Sequence, residues 1–178
     1  DRISMDLLAQ AIVLTSQGIP FLEGGAELLR TKRGNHNSYR AGDKVNQFEW
    51  RRKHEFREVF DYYRGLIELR RAHPAFRMTD AEQVRSALKF IPGPPKVVMF
   101  ELDGNECGDE WGLIVVIYNA NRHDVEIALP TQGEWSIVVA GRQAGTVPLD
   151  HAVYMVKDEE SDDVRVRVPA ISAMVLHG

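Results

Sequence analysis

The chain has 178 residues, enough for one large domain or two small ones. Apolar residues make up 44% and charged residues 27%, and the formal charge is -4, so a core can be buried and nothing favours a nucleic-acid backbone as partner. The single cysteine, Cys107, excludes an intrachain disulfide and any multi-cysteine metal site. The longest apolar runs, such as Leu113 to Tyr118, are too short for a membrane-spanning helix. The chain starts at Asp1 without a charged leader and apolar stretch, which reads as a cut inside a longer protein; the compartment is not legible.

Residues 4 to 16 are predicted to be helical, because Leu7, Leu8, Ala11, Ile12 and Thr15 recur at helical spacing and Gly18 stops the pattern. Ile19-Pro20-Phe21-Leu22 is a brief apolar run between glycines, read as a strand with its proline at the start. Residues 30 to 50 are polar and rich in Asn and Gly, a long loop of the kind that is usually functional or disordered. A second amphipathic helix is expected from about Arg51 to Ala72, with Phe56, Val59, Phe60, Tyr63, Leu66, Ile67 and Arg70 on one face and His73-Pro74 as the stop.

After about residue 84 the pattern changes to period two. Val125, Ile127 and Leu129 alternate with polar residues, as do Trp135, Ile137 and Val139, and again Val164, Val166 and Val168. Leu113 to Tyr118 is apolar on both faces, as a central strand would be. Turn signals at Pro92 to Pro95, Asp103 to Asn105, Gln132-Gly133 and Asp158 to Asp163 separate these runs, so the second part is expected to be an antiparallel β-sandwich.

No self-contained active site is visible. There is no Cys/His cluster with metal spacing, no nucleophile elbow and no phosphate-binding glycine motif, so no cofactor and no metal are expected. The six histidines are scattered, and each reads first as a packed or surface residue. The chemically suggestive stretch is Glu23 to Trp50, with Glu23, Glu27, Asp43, Glu49, Arg30, Asn37, Ser38, Tyr39 and Asn46. Carboxylates and amides suit sugar hydroxyls, and aromatic faces suit the apolar side of a pyranose. The same residues also suit a solvated loop held by Asn, Asp and Gly turns.

The run Gln17 to Leu22, then Glu27 to Lys32, Asn37-Ser38-Tyr39, Gly42-Asp43, Val45-Asn46 and Trp50, resembles the last barrel strand and following loop of type I pullulanases, in glycoside hydrolase family 13. Leu66 to Phe76, with its Leu-Arg and His-Pro-Ala-Phe, resembles the family's next helix. Two departures stand out: Ala26 replaces the first Glu of the usual Glu pair, and Glu49 replaces the usual Asp before Trp50.

The resemblance implies an α+β chain. Residues 1–83 would be the helix-strand-helix end of a (β/α)8 catalytic barrel, and residues 84–178 a C-terminal sandwich. It implies a debranching hydrolase of α-1,6-glucosidic bonds acting on pullulan or branched dextrin. The two reacting carboxylates, about 5 Å apart in a retaining enzyme, and a third Asp would lie upstream, so this chain holds no catalytic residue and is inactive alone.

Asn37, Tyr39, Asp43 and Asn46 are the expected sugar contacts, with Arg30 positioning Asp43 or Glu27, or else ion-paired to Glu27. Phe48 and Trp50 read as loop anchors, with stacking on sugar as the alternative. The expected partners are α-glucan and the missing part of the barrel, with no nucleic acid and no membrane. Without that part, the helix face of residues 56–70 would stand uncovered and self-associate, and the loop would depend on strands the chain lacks. A competing reading is a non-catalytic carbohydrate-binding module using Trp111, Trp135, Tyr118 and Tyr154, or an interaction domain.

Overall fold

The computed structural model describes residues 1–156 and 164–178. The turn expected at Asp158 to Asp163 lies outside the described residues. The elements form three layers: helices, a six-stranded antiparallel sheet, and a three-stranded antiparallel sheet.

Five α-helices occur among the described residues: α1 (Arg2–Thr15), α2 (Asp43–Asn46), α3 (Arg52–Glu55), α4 (Arg57–Ala72) and α5 (Ala81–Ala87). Helix α1 buries Leu7, Leu8, Ala11, Leu14 and Thr15, while Ile12 faces outward. Its last carbonyls are held by the buried Arg70 of α4, which donates to Leu14 O at 3.0 Å, Ser16 O at 2.6 Å and Gly18 O at 2.5 Å. A guanidinium there satisfies orphan carbonyls and meets the negative end of the helix dipole. Asp80 caps α5 by accepting from the amides of Glu82 and Gln83.

Two expectations are corrected here. Ile19 to Leu22 forms no strand: Ile19 is 98% and Phe21 91% exposed, because a strand needs a ladder partner and none of the described residues supplies one. The helix expected over 51–72 is broken at Phe56, where ψ turns to 47°, so that α3 bends toward the loop and Arg52 reaches Leu28 O and Leu29 O.

The face of α4 is also rotated from the expected one. Tyr62 and Leu69 are buried, and Ile67 is exposed. Helix α1 and the large sheet cover Tyr62, Leu66 and Leu69 from within the chain, while Phe60 and Ile67 of the expected face stay partly open.

The strands are β1 (Leu88–Ile91), β2 (Val97–Asp103), β3 (Leu113–Asn119), β4 (Val125–Ala128), β5 (Ser136–Ala140), β6 (Gln143–Ala144), β7 (Met155–Val156), β8 (Arg165–Val168) and β9 (Ser172–His177). The large sheet runs β1-β2-β3-β9-β5-β6 and the small one β4-β8-β7. Strand β3 explains its own sequence. Ile114, Val116 and Tyr118 pack against the helices, while Val115 and Ile117 pack against the small sheet with Ile127, Val166 and Val168. A sheet covered on both faces has no polar side, so alternation disappears. In β5 the register shifts between Ile137 and Val139, and this bulge turns both Val138 and Val139 toward the helices.

A buried polar cluster joins the two parts. His73, at the end of α4, places Nδ1 2.8 Å from Asp109 Oδ1, and neither side chain reaches solvent. Asp109 also accepts from the amides of Ala75 at 3.1 Å and Trp111 at 3.0 Å. The indole of Trp111 stacks on His73 (centroids 3.4 Å) and on His177 (4.0 Å, 5°).

Burial lowers the pKa of His177 below its ordinary value of 6.5, with the nearby His73 acting the same way and Glu110 and Asp109 opposing it. The unfolded chain therefore takes up this proton first as pH falls, so the contribution is complete above about pH 6.5 and is lost on acidification through the folded value. The urea midpoint should drop between pH 7.5 and 5, and the drop should shrink in His177→Gln. An equal drop in that variant would exclude His177 as its source.

Candidate functional site

The stretch from Glu23 to Arg52 is a loop closed by its own hydrogen bonds. It begins with a tight turn at Gly25 (φ 96°), whose amide donates to Glu27 Oε2 at 2.9 Å and whose carbonyl accepts from Leu28 and Arg30 at 3.0 Å. A Cβ at Gly25 would lie 2.7 Å from Arg30 Cδ and 2.9 Å from the Phe48 ring, so no larger residue fits beside the two side chains that organise the loop. Glu27 sits in the 3-10 turn Ala26–Leu28, in keeping with a helix-start role.

Asn46 closes the far end. Its Nδ2 donates to Ser38 O at 2.8 Å and to Ala41 O, and its Oδ1 accepts from Lys32 Nζ at 2.9 Å. The side-chain amide of Asn46, expected to contact sugar, is thus engaged within the loop. Arg30 makes a different set of contacts from the ones expected. It donates to Gly24 O at 3.3 Å and to Asn46 O, and lies over the Phe48 ring at 4.1 Å, instead of engaging Asp43 or Glu27.

Asn37, Tyr39 and Asp43 are exposed, Tyr39 at 79%. Asn35 Oδ1 accepts the Asn37 amide at 3.0 Å, which shapes the turn before them, and Asp43 opens α2. The structure therefore sorts the five expected residues into three that face solvent and two that brace the loop.

Beyond them, Phe48 and Trp50 stack with centroids 5.5 Å apart at 17°. Trp50 is 67% exposed, so it does not anchor the loop in a core. Glu49 lies between Arg33 and Arg51, each at 3.3 Å. Hydrogen bonds from Arg51 first, then Arg33, hold its carboxyl below the ordinary value. With Gln47 these residues line an open cleft of about 420 Å³.

The aromatics named for a binding-module platform are not available for one. Trp135 and Tyr118 are buried, Tyr154 packs against the second core, and Trp111 is held between two imidazoles. Among the described residues, no group of three His, Cys, Asp or Glu side chains is placed to hold a metal ion.

Residues 84–143 match the family model described as "Pullulanase, all-beta domain". The pullulanase of Bacillus subtilis (strain 168) is 41% identical over 127 residues, covering 71% of this chain and 18% of that protein. A solved pullulanase from Bacillus acidopullulyticus superposes with a TM-score of 0.89 at 48% identity, covering 99% of this chain and 20% of that one. The pullulanase of Paenibacillus barengoltzii, solved in complex with maltohexaose and α-cyclodextrin, superposes at 0.83 with 38% identity, covering 99% of this chain and 25% of that one. This chain thus spans about a fifth of the length of the relatives it matches.

Relatives named pullulanase, isoamylase and glycogen debranching enzyme place the chain in the family of debranching glycoside hydrolases. Within that class the chain belongs to the pullulanases, and it corresponds to their C-terminal part.

Proposed function

We propose that this chain is part of a hydrolase of α-1,6-glucosidic bonds in branched α-glucans, and that its loop of residues 30–50 forms one wall of the substrate cleft. Residues 1–83 would complete a (β/α)8 barrel, and residues 84–178 would be a sandwich docked on it. The unpartnered segment Ile19 to Leu22 supports this, because its exposed backbone and apolar side chains suit a strand whose neighbours belong to the rest of the barrel.

Asn37, Tyr39 and Asp43 contact glucosyl units, while Arg30 and Asn46 hold the loop that presents them. The observation that carries this is the internal bonding of Asn46 and Arg30, which leaves the other three side chains facing outward on a braced loop. The Paenibacillus relative solved with maltohexaose supports glucan as the ligand class. The reacting carboxylates would lie outside this chain.

The test is hydrolysis of pullulan, scored as new reducing ends, by this chain and by the longer enzyme containing it. No turnover by the chain and turnover by the longer enzyme are expected. In the longer enzyme, Asp43→Ala should cost roughly tenfold to a hundredfold in kcat/KM, the range for a lost charge-assisted hydrogen bond. Turnover by this chain alone, or an unaffected Asp43→Ala enzyme, would sink the proposal.

A further inference from the structure

A single exposed apolar side chain is ordinary, but Trp50 is 67% exposed and is also stacked on a second ring that a cation contacts. One face lies on Phe48. Phe48 is itself contacted by the Arg30 guanidinium at 4.1 Å, and Arg30 is tied to Gly24 O and Asn46 O. Arg30 and Trp50 both contact the Phe48 ring, and the indole face turned away from Phe48 is left without a ring partner. A cation over the first ring and an offset parallel second ring are both attractive arrangements, so the indole is held flat before any ligand arrives.

The cleft that Trp50 lines is otherwise mostly polar. Glu49 accepts from Arg33 and Arg51, and all three line the same open cleft as the indole, so this rim brings directed donors and acceptors beside an apolar ring. That combination suits one chemistry: a pyranose, whose C–H face lies on the ring while its hydroxyls reach the rim.

We propose that the outer face of Trp50 is a stacking subsite for a glucosyl unit of the α-glucan, with Glu49 and its two arginines as the hydrogen-bonding rim. This rests on the debranching reading above and adds to it a binding residue on the same loop. Trp50 fixes where one ring of the chain lies, and Asn37, Tyr39 and Asp43 read hydroxyls further along the loop.

The chain holds three tryptophans, Trp50, Trp111 and Trp135, so a nitrogen-15 spectrum resolves three indole N–H signals. Titration with maltohexaose should move the Trp50 indole together with the amides of Asn37 to Asp43, and leave Trp111 and Trp135 in place as controls. Trp50→Ala should weaken binding by about tenfold, the upper end for one aromatic contact. Trp50→Phe should keep most of it, and unchanged Trp111 and Trp135 signals in both variants would show an intact fold.

Movement of the loop amides with a still Trp50 would overturn the subsite and leave the cleft-wall reading standing. Stillness of both would overturn both. In the longer enzyme, Trp50→Ala should raise KM with kcat held. An unchanged KM with a lowered melting temperature would assign Trp50 to packing against the rest of the enzyme and overturn the subsite.

Discussion

Asp109→Ala should destabilise the chain by about 3–5 kcal/mol, the range for removing one member of a buried polar pair. At this chain length that lowers Tm by roughly 10 °C or more. The reason is the number of groups one carboxylate satisfies. Its two oxygens accept from His73 Nδ1 and from the amides of Ala75 and Trp111, and its side chain is inaccessible to water. Alanine leaves all three without an acceptor, in a place water does not reach.

Asp109→Asn separates this account from a general packing defect. The amide oxygen still serves the His73 and Trp111 side, while the new NH2 faces the Ala75 amide, donor against donor. The loss should be smaller, about 1–3 kcal/mol, the cost of one orphaned group. Urea unfolding of the three proteins at pH 7.5 measures both steps. Equal losses in the two variants would show that the pairing pattern does not matter and that the cluster is held by shape alone.

That cluster was invisible in the sequence, and the reason is physical. His73, Asp109, Trp111 and His177 come from the end of a helix, a turn after β2 and the last strand, and each looks like a lone residue where it stands. Only the three-layer packing brings them together. A periodic pattern reports one element's face, whereas a buried polar cluster is a property of several elements at once. The sandwich was legible for the opposite reason. Val125 with Ile127, and Val166 with Val168, alternate because the small sheet buries one side. β3 reads as a continuous apolar run because the large sheet buries both sides. Strand β9 is buried on both faces and resembles any short apolar segment, while β1 and β2 leave Phe90 and Val98 exposed and so carry no clean alternation.

In the first part, the helices were legible and the strand was not. Ile19 to Leu22 has the composition of a strand, yet a strand is made by its neighbours, and the described residues offer none. The candidate site was half legible. Residue type picked out the right loop, but not which side chains face outward. Asn46 and Asp43 look equally suited to a sugar, and the difference lies in where Ser38 O, Ala41 O and Lys32 sit, which depends on the path of the whole loop. Residue type alone makes Trp50 an anchor, whereas in the structure it stacks on Phe48 and stays 67% exposed.

Gly65→Ala should cost about 3 kcal/mol, at the upper end for an overpacked site, although helix propensity alone predicts a gain. A glycine inside a helix is about 1 kcal/mol worse than alanine, and Gly65 stands within the long helix α4. Here the opposing term is larger. An alanine Cβ would lie 1.9 Å from the carbonyl oxygen of Ala144 and 2.4 Å from its carbonyl carbon. Both are backbone atoms of β6, which pairs with β5 through Val139↔Ala144 and is fixed further by Gly145 N donating to Val138 O.

No rotamer relieves that contact, so α4 must move off the sheet by more than an ångström, and Val59, Tyr62 and Leu66 would lose packing with it. Ala144→Gly should not rescue the variant, because the clash is with a carbonyl that glycine also carries. The Arg142–Glu58 ion pair at 2.8 Å spans the same junction but is half exposed and contributes little, so its removal should change stability by less than about 1 kcal/mol. Thermal unfolding of Gly65→Ala, Ala144→Gly and the double variant checks all of this, and a Gly65→Ala chain more stable than the parent would mean that α4 does not lie against β6.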